Sequence, residues 1–166
     1  KKANEGEDFA TLAKTYSAEF HRKDFQTEQV AGEEKISIQM AARNLRYEWF
    51  GEIRKAHHYD LISTAHNQDD VLETFFINLS RGTGIRGLTG IPVKSGHVIR
   101  PLLFASREEI AAYAESKGIP YREDSSNVSD KYLRNRVRHK LIPMLEEQNP
   151  SFRASLIDTI QKLSDR

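Results

Sequence analysis

The feature that most constrains the fold is the step from LISTAH, residues 61–66, into NQDDVLETFFINLS. A short apolar run with β-branched members suits a buried parallel strand. Leu72, Phe75, Phe76 and Leu79 then fall at helical spacing, which predicts an amphipathic helix opened by Asp69 or Asp70 and ended by Gly82 in the left-handed conformation. The pairing recurs downstream. Residues 98–103 (VIRPLL) read as a strand that Pro101 places at an edge or ends early. Ser106 with Glu109 is a capping box for a helix that stops near Lys117, where Gly118 and Pro120 follow. Alternation of this kind predicts an α/β domain with a mostly parallel sheet and flanking helices.

Upstream, Phe9, Leu12, Ala13, Tyr16 and Phe20 form the stripe of a helix packed on another layer, and residues 19–25 read as a strand. Residues 31–35 (AGEEK) are a polar break. A second helix runs from Ser37 to about His57, with Ile38, Ala42, Leu45, Trp49 and Ile53 on one face. Beyond the turn-rich DSSNVSDK, helices are expected at about 133–147, kinked at Pro143, and from Asn149 and Pro150 onward with Phe152, Leu156, Ile160 and Leu163 in step. The α/β domain thus spans 1–130, and 131–166 form a helical extension or linker toward a further domain.

Composition narrows the chemistry. No apolar run approaches the roughly 18 residues of a membrane span, and nothing addresses the chain away from the cytoplasm. Without cysteine there is no disulfide, thiolate zinc site or cysteine nucleophile. The net charge of +1 hides a segregation: residues 1–80 carry 10 Lys/Arg against 14 Asp/Glu, whereas residues 81–140 carry 12 against 6. That basic section suggests a polyanionic partner such as nucleotide or RNA.

Three constellations carry candidate chemistry. His66, Asn67, Gln68, Asp69, Asp70 and Glu73 sit where the strand gives way to the helix, the edge at which open α/β sheets bind ligands. Their carboxylates suit magnesium binding or proton acceptance, although Asp70 and Glu73 also have capping-box spacing. RGTGIRGLTG, residues 81–90, joins Arg81 and Arg86 to four of the nine glycines, a composition that lets backbone approach phosphate but that also suits a helix cap and a solvated loop. KYLRNRVRHK, residues 131–140, holds five Lys/Arg and no acid. Arg134 and Arg138 share a helix side there while Val137 and Leu141 face inward, giving either a phosphate-contacting surface or a solvated face. His21, His57, His58 and His97 show no metal spacing and read as ordinary histidines.

TAHNQDDVLETFF, RGTGIRGLTGIP, IRPLL, SREEI, EDSSN and RNRVRHKLIPML, in this order, resemble the tRNA(Ile)-lysidine synthetase family of ATP pyrophosphatases over about residues 8–152. The resemblance implies a partial Rossmann-like, adenine nucleotide alpha hydrolase-like sheet. It implies a ligase that uses ATP and Mg2+ to attach free lysine to the wobble cytidine of tRNA(Ile) through an adenylated cytidine. It assigns His66, Asp69, Asp70 and Glu73 to the pocket for ATP, magnesium and lysine, with Asp70 and Glu73 catalytic and Asp69 and Asp70 as metal ligands. Arg81, Gly82, Gly84, Arg86 and Gly87 become the loop near the phosphates, with Arg86 catalytic. Asp124, Asn127, Arg134, Asn135, Arg136 and Arg138 complete the site or hold tRNA. Asn67 stands where relatives commonly have a second histidine. The family's SGGxDS phosphate loop has no counterpart, so the expectation is a fragment that is inactive alone. Alternative readings are a non-catalytic RNA-binding domain and another tRNA-modifying ATP pyrophosphatase.

Overall fold

A computed structural model describes residues 2–121 and 133–165, with side chains from Phe9 onward. The chain divides into two compact units, Lys1–Tyr59 and Asp60–Arg166.

The first unit holds α1 (Lys2–Thr15), α2 (Thr27–Glu34) and α3 (Ile38–Ala56). The α3 helix starts where its cap predicts, with Ser37 Oγ accepting from the Met40 amide. Ala31 on α2 and Ala41 on α3 are buried, and such small side chains let two helices approach closely. Trp49 packs edge-on against Phe25 at 6.1 Å. Two expectations fail here. Residues 31–35 are not a break, because α2 continues to Glu34 and ends at Lys35 in the left-handed region (φ 54°). Among the described residues, 19–25 make no sheet hydrogen bonds, so the α1 stripe lacks the layer it was expected to cover, and Phe9 and Tyr16 stay 56% and 66% exposed.

The second unit carries β1 (Ile62–Ser63), α4 (Gln68–Ser80), α5 (Ile85–Leu88), β2 (Lys94–Ser95), β3 (Val98–Ile99) and α6 (Arg107–Ser116). It then continues through α7 (Leu133–Arg136), a π turn (Val137–Leu141), α8 (Ile142–Gln148) and α9 (Phe152–Ser164). The fold class is α/β, as expected, with a small mixed sheet in the order β1-β3-β2. β1 and β3 run parallel, with Ile62 opposite Val98, across the connection that contains α4. β2 is antiparallel to β3 through a tight turn at Gly96 (φ 57°), a hairpin absent from the sequence expectation because Lys94 and Ser95 have no apolar signature. β3 is central and stops before Pro101, so the proline ends a strand instead of marking an edge.

The core joins Val71 and Leu72 of α4 to Val137, Ile142, Leu156 and Ile160. The helices set apart by the sequence reading as an extension therefore bury their apolar faces on α4, with Phe152 stacked on Phe76. Pro143 does not simply kink the helix. It lacks an N–H and its ring crowds the carbonyl four residues back, and the preceding turn widens so that the Ile142 amide reaches Val137 O. Gly90 has φ 71°, and a Cβ there would lie 2.7 Å from Val71 Cγ1, so the end of the glycine loop is pressed onto this core. Among the described residues no helix is long and apolar enough to cross a membrane.

Candidate functional site

The site grows from the end of β1. Thr64 N bonds Ile99 O, His66 Nδ1 lies 2.9 Å from Thr64 Oγ1, and the Gln68 amide donates to Ala105 O. Helix α4 is opened by Asn67, not by Asp69 or Asp70. Its side chain accepts from the Asp70 amide at 3.2 Å while Asp70 Oδ2 accepts from the Asn67 amide at 3.0 Å. The capping box is therefore Asn67 with Asp70, and Glu73 is left to another task.

That task is internal. Glu73 is fully buried, and its carboxylate accepts from Arg138 Nε at 2.6 Å and Arg138 Nη2 at 3.2 Å, a two-point pair. Arg134 Nε lies 3.3 Å from Glu73 Oε2, and Arg107 Nη2 lies 3.8 Å from Oε1. One turn earlier, Asp69 Oδ2 accepts from the Arg107 amide at 2.7 Å and Oδ1 from Arg153 Nη1 at 2.6 Å. Arg153 also reaches Glu146 at 2.5 Å. Burial by itself pushes the Asp69 carboxyl up, but the Arg107 amide and the Arg153 guanidinium outweigh it and hold the group below the usual carboxylate range.

The expected residues thus fall into three sets. His66, Asp69, Asp70 and Glu73 do gather at the β1–α4 junction and along the start of α4, where Glu73 meets Arg134 and Arg138. Asn135 is 7% exposed and lies inside the unit, away from the solvent surface expected of a tRNA contact. Arg136 is exposed, as are Arg81, Gly82, Gly84 and Arg86 on the loop, and these three arginines have no ion-pair partner among the described residues. The loop is not wholly irregular, since α5 forms one turn within it and Asn78 Nδ2 donates to Gly87 O at 2.8 Å. Asp124 and Asn127 lie outside the described residues. Arg107, Glu146 and Arg153 escaped the sequence reading. The cap motif at Ser106 located Arg107, but nothing local signalled its partner 38 residues away.

The assigned metal ligands fit magnesium poorly. Both Asp69 oxygens are engaged by nitrogen donors beside two guanidinium groups, and Asp70 Oδ2 is committed to the cap. A hard cation needs several accessible oxygens, which this pair does not offer. The histidines also depart from expectation: His21 and His57 meet at Glu19, within the first unit.

Residues 2–145 match the family model described as a PP-loop domain. The chain belongs to the PP-loop domain family. Among curated proteins it is 47% identical over 154 residues to the tRNA(Ile)-lysidine synthase of Bacteroides thetaiotaomicron, covering 93% of this chain and 36% of that protein. It is 48% identical over 153 residues to the synthase of Porphyromonas gingivalis, with coverage of 92% and 34%. It is 40% identical over 152 residues to that of Thermosipho africanus, with coverage of 92% and 36%. This PP-loop chain therefore spans about a third of the length of the relatives it matches.

Proposed function

We propose that the chain belongs to an ATP-dependent ligase that joins lysine to the wobble cytidine of an isoleucine tRNA. The observation that supports this most is identity near one half across more than nine-tenths of the chain to proteins named tRNA(Ile)-lysidine synthase, in a PP-loop domain. In the first step cytidine O2 bonds to the α-phosphate of ATP as pyrophosphate leaves. In the second a lysine amine bonds to C2, the C2–O bond breaks and AMP departs with the oxygen.

Arg81 and Arg86 are the exposed cations for the charge that grows on phosphate oxygens, and the open glycine backbone beside them admits a close approach. Asp70, half-buried in the first turn of α4, is the carboxylate we assign to take the proton lost by the lysine amine. Glu73 acts through the arginines it holds, because its oxygens face Arg134 and Arg138 within the protein. Arg136 is a cation of the 131–140 run that faces solvent, as Lys140 also does, and we assign Arg136 to tRNA.

The test is turnover in the parent protein with tRNA(Ile), labelled lysine, ATP and magnesium. Asp70→Ala should lower lysine incorporation by at least 100-fold with tRNA affinity nearly unchanged. Binding of tRNA with no lysine incorporation by the unsubstituted parent would leave an RNA-binding domain instead.

A further inference from the structure

The first unit contains a cluster that the ligase reaction does not use. Glu19 Oε2 lies 3.1 Å from His57 Nδ1 and 3.4 Å from His21 Nε2. One ligating atom from each of the three residues falls within 4.8 Å of the others. We propose that Glu19, His21 and His57 bind a divalent transition cation of the zinc class, which clips the irregular segment 18–26 to the C-terminal end of α3.

The spacing is that of a coordination shell. A tetrahedral ion with bonds of about 2.0–2.2 Å separates its ligand atoms by roughly 3.3–3.5 Å, close to both measured edges. Alignment points the same way. His21 Nε2 is buried and lies within ion-pair distance of the carboxylate, yet has no hydrogen-bond partner among the described residues. Lone pairs aimed at a common centre produce that combination, because they do not point at each other.

The supporting groups hold the ligands in place. His57 caps α3, and its ring stacks on Tyr59 at 5.6 Å with 15° between planes. The Tyr59 hydroxyl donates to Glu19 Oε2 at 2.9 Å, an orienting bond of the kind that accompanies metal ligands. Left-handed His58 (φ 56°) turns the chain so that Tyr59 can do this, and Arg54 secures the turn on the Tyr59 carbonyl. Two imidazoles with one carboxylate favour zinc, cobalt or nickel over magnesium or calcium, and three protein ligands leave a position for water. Among the described residues, 18–26 form no sheet hydrogen bonds, so a metal bridge from Glu19 and His21 to His57 would be their strongest tie to the helix.

The experiment uses the full chain without a histidine tag, stripped by a chelator and titrated with Zn2+ by calorimetry, with thermal melting alongside. One equivalent of Zn2+ should bind and raise Tm, Mg2+ should do neither, and Co2+ should give tetrahedral visible absorption bands. His21→Gln and His57→Gln should each weaken Zn2+ binding at least tenfold, whereas His97→Gln in the other unit should not. Equal Zn2+ affinity in all three variants, or no bound Zn2+ in the unsubstituted chain, would reduce the cluster to a hydrogen-bonded carboxylate. Should the variants fail to fold, the Co2+ spectrum of the unsubstituted chain decides, and absence of tetrahedral bands overturns the site.

Discussion

Two arginine-bearing segments of the second unit look alike in sequence and differ in structure. Residues 81–90 carry Arg81 and Arg86, and both side chains face solvent. Residues 133–141 carry Arg134 and Arg138, and both turn onto one buried carboxylate, Glu73. Helical geometry produces the difference. Residues four apart share a helix side, so once Val137 and Ile142 anchor that helix on α4, Arg134 and Arg138 must face α4 as well. A run of cations is a ligand surface only where no acid on a neighbouring element claims it.

The sharpest way to break this comparison is Glu73→Gln. Removing the charge leaves Arg138, only 16% exposed at its side chain, beside a neutral amide. Breaking a buried pair typically costs about 3–5 kcal/mol. Urea unfolding should show that loss, and a change below about 1 kcal/mol would mean that Glu73 is not what balances these arginines.

The arginines themselves grade the same contrast. Arg138→Ala should cost about 3 kcal/mol by leaving Glu73 partly uncompensated. Arg134, 42% exposed at its side chain, should cost under about 1 kcal/mol when replaced by Ala, since solvent screens its pair. Arg136→Ala should leave stability alone and reduce the slope of log tRNA affinity against log salt by about one, if it meets one phosphate. Equal loss of stability in all three would show that position on the helix does not sort them.

Asp69 sets a pH dependence within the buried region. Its folded pKa is depressed, so its stabilising effect is complete above the unfolded carboxylate value near about 3.9 and is lost as pH falls through the lower folded value. Melting temperatures between pH 3 and pH 7 should fall less steeply toward acid in Asp69→Asn than in the unsubstituted chain. Parallel curves would mean that Arg153 and the Arg107 amide do not favour the charged form.

What the sequence reveals follows from the range of each interaction. Ser37, Ser106 and Gly82 announce helix ends because their partners are within a few residues, and LISTAH announces β1 through its apolar, β-branched run, although the strand is covered on one face only, with Leu61 44% exposed and Ser63 exposed. Asn67 was hidden by the acids after it, although the same rule selects it, since Asn and Asp compete for the cap. The candidate site is mostly non-local. Glu73 meets Arg138 across 65 residues and Asp69 meets Arg153 across 84, so no spacing rule joins them. The three-residue cluster at Glu19 joins positions up to 38 apart in the chain, and the spacing of its histidines carries no trace of it. The π turn was legible only as a disturbance, because Pro143 shows that a helix must adjust there without showing how.

The smallest expected effect on stability is at Arg86, which makes it the most discriminating test of the exposed region. Its side chain is solvated, it joins no ion pair among the described residues, and α5 around it is a single turn, so Arg86→Ala should shift stability by less than about 0.5 kcal/mol. Gly87 next to it is the contrasting control. A Cβ there would collide with the Thr83 side chain, so Gly87→Ala must displace Thr83 and disturb the loop itself. If the loop stabilises charge on the phosphates, Arg86→Ala in the parent protein should lose pyrophosphate release at least 100-fold at unchanged Tm, whereas Gly87→Ala should lower both. Retained pyrophosphate release in Arg86→Ala would make this arginine a solvated charge. The exposed segment would then have no better claim to the phosphates than the buried one.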